Sequence, residues 1–172
     1  MVSSPESLTK EHDLRQFECG NELLTDWLKK YALQSQQSGH SKTMVVTEGE
    51  QRVVVGYYSY NVCSVEHADS IPARVRKGLA KHPIPIFLIA RLARDVKFRG
   101  TALGKRLLRH ALNRASAISE AVPIRAIVVD AIDDKARSFY SEFDFESFPA
   151  DSLRMWLLMK DLQKTISSSQ KE

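Results

Sequence analysis

The 172-residue chain is 43% hydrophobic and 27% charged and carries a formal net charge of +4, the proportions of a globular domain rather than of a disordered or fibrous chain. Its longest apolar run, Ile84 to Ala90, is interrupted by Pro85 and falls far short of the ~18 residues of a helical membrane span; the opening residues lack the basic flank and apolar stretch of a secretory signal. Cys19 and Cys63 stand at no metal-like spacing and offer no disulfide framework. The expectation is one domain over residues 1–165 with a polar, frayed tail over 166–172, working in the cytoplasm with no membrane contact and no metal.

In chain order, Asn21 is placed to cap a helix from Glu22 to about Gln37, with Leu23, Leu24, Trp27, Leu28, Tyr31 and Ala32 at helical spacing. Gly39 ends it. "KTMVVTEGEQRVVVGYYSYNVCSVEH" predicts two β segments joined by the turn "EGE", and Gly56 in the second marks a bulge or bend. Ala68 to Pro83 is basic and aperiodic, a loop or short helix outside the sheet. "PIPIFLIARLARDV" is a strand, and Leu103 to about Ala121 keeps Leu103, Leu107, Leu108, Ala111, Leu112, Ala115 and Ile118 on one helical face. "IRAIVVD" is a strand of the kind buried on both faces in a parallel pair, so strand, basic loop, helix and strand make one crossover unit. A short helix capped by Asp133 or Asp134 and a last strand, "SLRMWLLMKDL", complete an α+β, or mixed α/β, domain on one central sheet.

The positive charge is uneven. Between Arg91 and Arg114 eight basic residues face a single acid, Asp95, and Arg74, Arg76, Lys77 and Lys81 form a second acid-free group. Such clusters suit a polyanion, either a phosphorylated cofactor or a nucleic acid, or else a solvated helix face. The loop "KFRGTALGKRLL" lies between a strand and a helix, where free N–H groups and the helix dipole favour anions. It is neither a Walker loop nor a dinucleotide fingerprint. His40, His67, His82 and His110 have no partners at catalytic spacing.

Arg99, Ala102 and Gly104 of "RGTALG" stand at the positions of Q/R-x-x-G-x-G/A, and the chain resembles the GCN5-related N-acetyltransferase (GNAT) family that carries this motif. "FECGNELLTDWL", "VVGYYSY", "IPIFLIARLARDV" and "ARSFYSEFDF", in the family's order over about Phe17 to Phe145, narrow the resemblance to the acetyltransferase toxins of bacterial toxin–antitoxin modules. The chain departs from the pattern at Arg94, where a small aliphatic residue is usual, at Ala102, where the motif has glycine, and at Asp144, where F-Y-x-x-x-G-F has glycine.

The resemblance implies a mostly antiparallel sheet with a splayed parallel strand pair and flanking helices. It implies acetyl-CoA as cofactor, held by backbone groups of Leu92, Ala93 and Arg94 and by Arg99, Gly100, Thr101, Ala102, Gly104 and Lys105 around the pyrophosphate. Tyr140 is the implied acid for the leaving thiolate, with Phe139 and Phe143 filling the core. The implied acceptor is aminoacyl-tRNA, acetylated on its α-amine so that translation stops, with Arg74, Arg76, Lys77, Lys81 and Arg91 meeting phosphates. A DNA-binding antitoxin of ribbon-helix-helix type and a homodimer are the implied partners. Two alternatives stay open: an acetyltransferase of small amines or protein N-termini, and a catalytically weakened domain kept for binding.

Overall fold

The computed structural model describes residues 1–169. Asn21, extended at φ −123°, accepts the Leu24 N–H on its side-chain oxygen at 3.0 Å and starts α1 (Glu22–Lys30). The helix expected to reach Gln37 is broken at Tyr31 (φ −124°, ψ −24°), and α2 (Ala32–Gln37) follows. Leu28 and Ala32, on either side of the break, are both buried. Their spacing of four fits a continuous helix equally well, so apolar periodicity does not reveal the kink.

Two compact units make up the chain, one of Met1–Asn61 with Ala90–Ala111, the other of Val62–Ile89 with residues from Leu112 onward. In the first, β1 (Glu6–Ser7) runs antiparallel to β2 (Lys42–Glu48), which pairs antiparallel with β3 (Val53–Val65). The register slips between Val46 and Thr47, opposite Val54 to Gly56, which is the irregularity that Gly56 announced. The absent Gly56 side chain also makes room for the following helix: a Cβ there would lie 3.1 Å from Leu107 Cδ1 and 3.4 Å from Leu103 Cδ2. Phe17, Leu28, Ala32, Val45, Val54, Tyr57 and Ala93 form this unit's core.

β4 (Ile84–Arg94) begins in the second unit, where it pairs parallel with β5 (Ala126–Asp130) from Ile86↔Ala126 to Ile89↔Val129. Ala90 to Arg94 lie beyond the last residue of that pairing. A 3-10 turn (Val96–Phe98) and the long α4 (Leu103–Ser119) join the two strands. The second unit also holds the single turn α3 (Ala73–Arg76), α5 (Asp134–Ser141) capped by Asp133, and β6 (Glu146–Ser147) antiparallel to β7 (Arg154–Leu158), itself antiparallel to β5. Strand order is β1-β2-β3-β4-β5-β7-β6, so the fold is mixed α/β with one parallel pair in an otherwise antiparallel sheet, as expected.

The last strand is shorter than predicted. β7 stops at Leu158, and Met159 opens α6 (Met159–Ser169), so residues 166–169, expected as a frayed tail, are helical; residues 170–172 of that tail lie outside the described residues. "WLLM" is a continuous apolar run, which carries neither a strand nor a helix period by itself. Among the described residues, no helix is long and apolar enough to cross a membrane.

Candidate active site

The start of α4 is built to leave amides free. Gly100 takes φ +74°, a left-handed conformation open to glycine, and turns the chain out of the 3-10 turn. Thr101 then ties the turn down: its N–H and hydroxyl both donate to Phe98 O, at 3.2 and 2.7 Å, and its Oγ1 accepts from the Leu103 N–H at 3.3 Å. Ala102 O accepts the Arg106 N–H at 3.0 Å, which makes Ala102 the cap. Among the described residues the N–H groups of Gly100, Ala102 and Gly104 have no hydrogen-bond partner. Three unpartnered donors at the positive end of a 17-residue helix, beside exposed Arg99, Lys105 and Arg106, form a seat for an anion. Ala102, the departure from the motif, offers its amide as a glycine would.

Arg99 is positioned from a distance. Its guanidinium passes over the Cα of Gly20, at φ +85°, so closely that a methyl group at position 20 would collide with it. The segment bearing Gly20 is pinned in turn: Glu18 N–H donates to Asp95 Oδ2 at 3.1 Å, Lys97 N–H to Asp95 Oδ1 at 3.0 Å, and Val96 N–H to Glu18 O at 2.8 Å. Asp95, only 3% exposed, therefore joins "FECGN" to the loop that precedes α4. The sequence offered it only as a lone acid among bases.

Leu92, Ala93 and Arg94 end β4, with Ala93 in the core and Arg94 half-buried, its Nε enclosed without a hydrogen-bond partner. Arg91 lies over the Trp27 ring, 4.0 Å from its centroid. Trp27 stacks on buried Tyr57 at 6.1 Å and 16°, and Tyr57 meets Phe17 edge-on at 5.6 Å. Half-burial lowers the Arg91 pKa by desolvation, and its side chain has no carboxylate partner among the described residues.

Tyr140 belongs to the second unit. Its ring meets Phe139, at 5.3 Å, and Phe145, at 5.7 Å, both edge-on. Burial runs opposite to expectation here: Tyr140 and Phe145 are buried at 6% and 3% exposure, while Phe139 and Phe143 are only half-buried. Phe139 and Tyr140 are neighbours near the end of a two-turn helix, and sequence alone could not say which one turns inward. The Tyr140 hydroxyl has no hydrogen-bond partner among the described residues. Desolvation, and then the Asp130 charge, push its pKa well above 10.0, so it keeps its proton.

Arg74, Arg76 and Lys77 line one depression of about 440 Å³ with His67, Ala73 and Leu79. They are not equivalent. Arg74 bonds Asp161 at 3.0 Å, approaches Glu146 at 4.0 Å and covers the Trp156 ring at 5.7 Å. Arg76 donates to Ile71 O at 2.8 Å and pairs with Asp69 at 3.6 Å. The side chains of Lys77 and Lys81 are exposed, and their ammonium groups have no partner among the described residues. Arg125, which no motif singled out, donates from Nε to Val75 O at 2.9 Å and from Nη2 to Arg74 O at 3.2 Å and Lys77 O at 3.0 Å.

No model of a protein family matches the chain. It is 40% identical over 164 residues to a tRNA-acetylating toxin of Mycobacterium tuberculosis, covering 95% of this chain and 96% of the relative. Its fold superposes on AtaT complexed with acetyl-methionyl-tRNAfMet with a TM-score of 0.87 at 25% identity, over 96% of this chain and 99% of that one. AtaTR bound with acetyl-CoA matches with a TM-score of 0.84 at 25% identity, over 96% of this chain and 98% of that one.

Proposed function

The chain belongs to the GNAT-fold tRNA-acetylating toxins, and on that premise we propose that it transfers the acetyl group of acetyl-CoA to the α-amine of aminoacyl-tRNA and so blocks translation. The observation that carries this is the set of unpartnered Gly100, Ala102 and Gly104 amides at the start of α4. The donor set fits a pyrophosphate: neutral N–H groups backed by Arg99 and Lys105. Ala102 therefore gives no support to a weakened site.

Acetyl-CoA supplies the acetyl group as an activated thioester. The protein's contribution begins with placement: Gly100, Ala102, Gly104 and Arg99 would hold the phosphates, and the main chain of Leu92 to Arg94, past the last residue paired with β5, would offer donors and acceptors to the arm and to the reacting carbonyl oxygen. The acceptor amine needs little help. An ester beside it withdraws electron density and takes its pKa below the ~7.7–8.0 of a chain terminus, so much of it is neutral near pH 7 and water can carry its proton away. Tyr140 Oη, protonated at neutral pH, would hold the proton for the departing sulfur.

Lys77, Lys81 and Arg91 are the cations for the RNA backbone, with Arg74 and Arg76 lining the same depression as Lys77. Family membership supports a cytoplasmic homodimer held in check by a DNA-binding antitoxin of ribbon-helix-helix type, working as a single domain over residues 1–165. The test is incubation with labelled acetyl-CoA and a pool of charged tRNAs. Label on the aminoacyl group is the expected result, and label on free amines alone would overturn the proposal.

A further inference from the structure

α3 is a single turn of four residues, far below the ~12 at which an isolated helix becomes even marginally stable. Two features hold it. Ile71 and Val75, 8% and 3% exposed, sink into a core with Ile84, Ile86, Val128 and Trp156. The second is the Arg125 fork, which satisfies the carbonyls of Arg74, Val75 and Lys77 at the end of the turn, groups that so short a helix cannot satisfy internally. Arg125 is itself held from both sides: its N–H donates to Pro85 O at 2.9 Å, and its carbonyl accepts the Met159 N–H at 3.0 Å.

We propose that Arg125 is a positioning residue for aminoacyl-tRNA: its guanidinium sets the end of α3 and the turn after it, and so fixes where Lys77 and Lys81 are presented, without touching the RNA. This rests on the reading that the Arg74–Lys81 segment meets RNA phosphates. Arg74 and Arg76 are already engaged by Asp161 and by Asp69 and Ile71 O, which leaves the two lysines as the free cations of the segment. Their placement depends on main chain that Arg125 bonds directly, at Lys77 O. A planar fork on three carbonyls has no equivalent in lysine, whose compact charge reaches fewer of them.

The experiment measures acetylation of charged tRNA at saturating acetyl-CoA over a range of salt, with acetyl-CoA affinity by calorimetry, for wild type, Arg125→Gln, Arg125→Lys and the Lys77→Ala/Lys81→Ala pair. Arg125→Gln should raise KM for charged tRNA about tenfold, as small misplacements do, with kcat and acetyl-CoA affinity within about twofold of wild type. Arg125→Lys should recover part of the loss. The salt slope of log KM should stay at the wild-type value in both Arg125 variants, because a residue that does not touch phosphate releases no counterion, and should fall by about 1.5–2 in the lysine pair. An unchanged KM in Arg125→Gln, or a salt slope lowered by about 1, would overturn the positioning role while the lysine pair still upholds RNA contact. Equal loss of acetyl-CoA affinity and kcat in both Arg125 variants would also overturn it. A lysine pair with wild-type KM and slope sinks the underlying reading instead.

Discussion

The Arg91 guanidinium sits 4.0 Å from the centroid of the Trp27 ring, and Trp27 in turn stacks on buried Tyr57. A half-buried cation without a carboxylate partner is costly unless something compensates, and here an aromatic face takes part of that role. The arrangement holds a desolvated positive charge one residue before Leu92. Arg91→Ala should raise KM for charged tRNA several-fold, and Arg91→Lys should not restore it, because lysine lacks the planar face that stacks. A double-mutant cycle on Arg91 and Trp27 in urea denaturation should give a coupling of about 0.5–2 kcal/mol; additive losses would show that the stack does not hold the arginine.

Tyr140→Phe removes a hydroxyl without hydrogen-bond partners among the described residues, so it should leave thermal stability and acetyl-CoA affinity unchanged. Turnover should fall by about 10²–10⁴-fold, the range for loss of a positioned acid. Growth arrest on expression should disappear with it. Wild-type turnover in the variant would remove Tyr140 from the chemistry.

Alkaline stability follows from two buried phenols. Desolvation raises the pKa of both Tyr57 and Tyr140 above 10.0 in the folded protein. A raised folded pKa means that the native state keeps its proton where the unfolded chain has lost it. Their contribution is therefore complete below about pH 10 and is lost as the pH climbs from there toward the folded values. Denaturation midpoints measured from about pH 8 to pH 11 should hold steady and then fall, and Tyr140→Phe should soften the fall.

Gly20→Ala places a methyl group against the Arg99 guanidinium at a backbone angle of φ +85°. The left-handed angle should cost about 1–2 kcal/mol of stability, and displacement of Arg99 should weaken acetyl-CoA binding in calorimetry. Arg99→Ala in the Gly20→Ala background should then cost little more affinity. Full additivity of the two losses would sever the link.

Asp144 occupies φ +68° where the chain reverses after α5, which accounts for the glycine usual at this place in the motif. Asp144→Gly should raise the melting temperature by up to about 2–4 °C, and Asp144→Val should lower stability by about 1–2 kcal/mol. Neither should change KM for acetyl-CoA.

Period and punctuation in the sequence determined the elements. β-rich runs around the turn "EGE" marked β2 and β3, the leucine stripe marked α4, Asn21 and the Asp133–Asp134 pair marked helix starts, and Gly100 of "RGTALG" marked the turn into α4, because each of these signals lies within a few residues of the structure it specifies. Local pattern was ambiguous where two structures shared it. A spacing of four at Leu28 and Ala32 allowed either a straight helix or the break at Tyr31, and an unbroken apolar run hid the passage from β7 into α6. Only the tertiary structure decided the relationships that shape the candidate site: Arg91 on Trp27, Arg99 over Gly20, Asp95 on the Glu18 amide, and Arg125 on the carbonyl of Val75, 50 positions away in the chain. Each joins a side chain to a partner that no local periodicity can specify, because the partner is supplied by the packing of distant segments and by the need of buried polar groups to find one another.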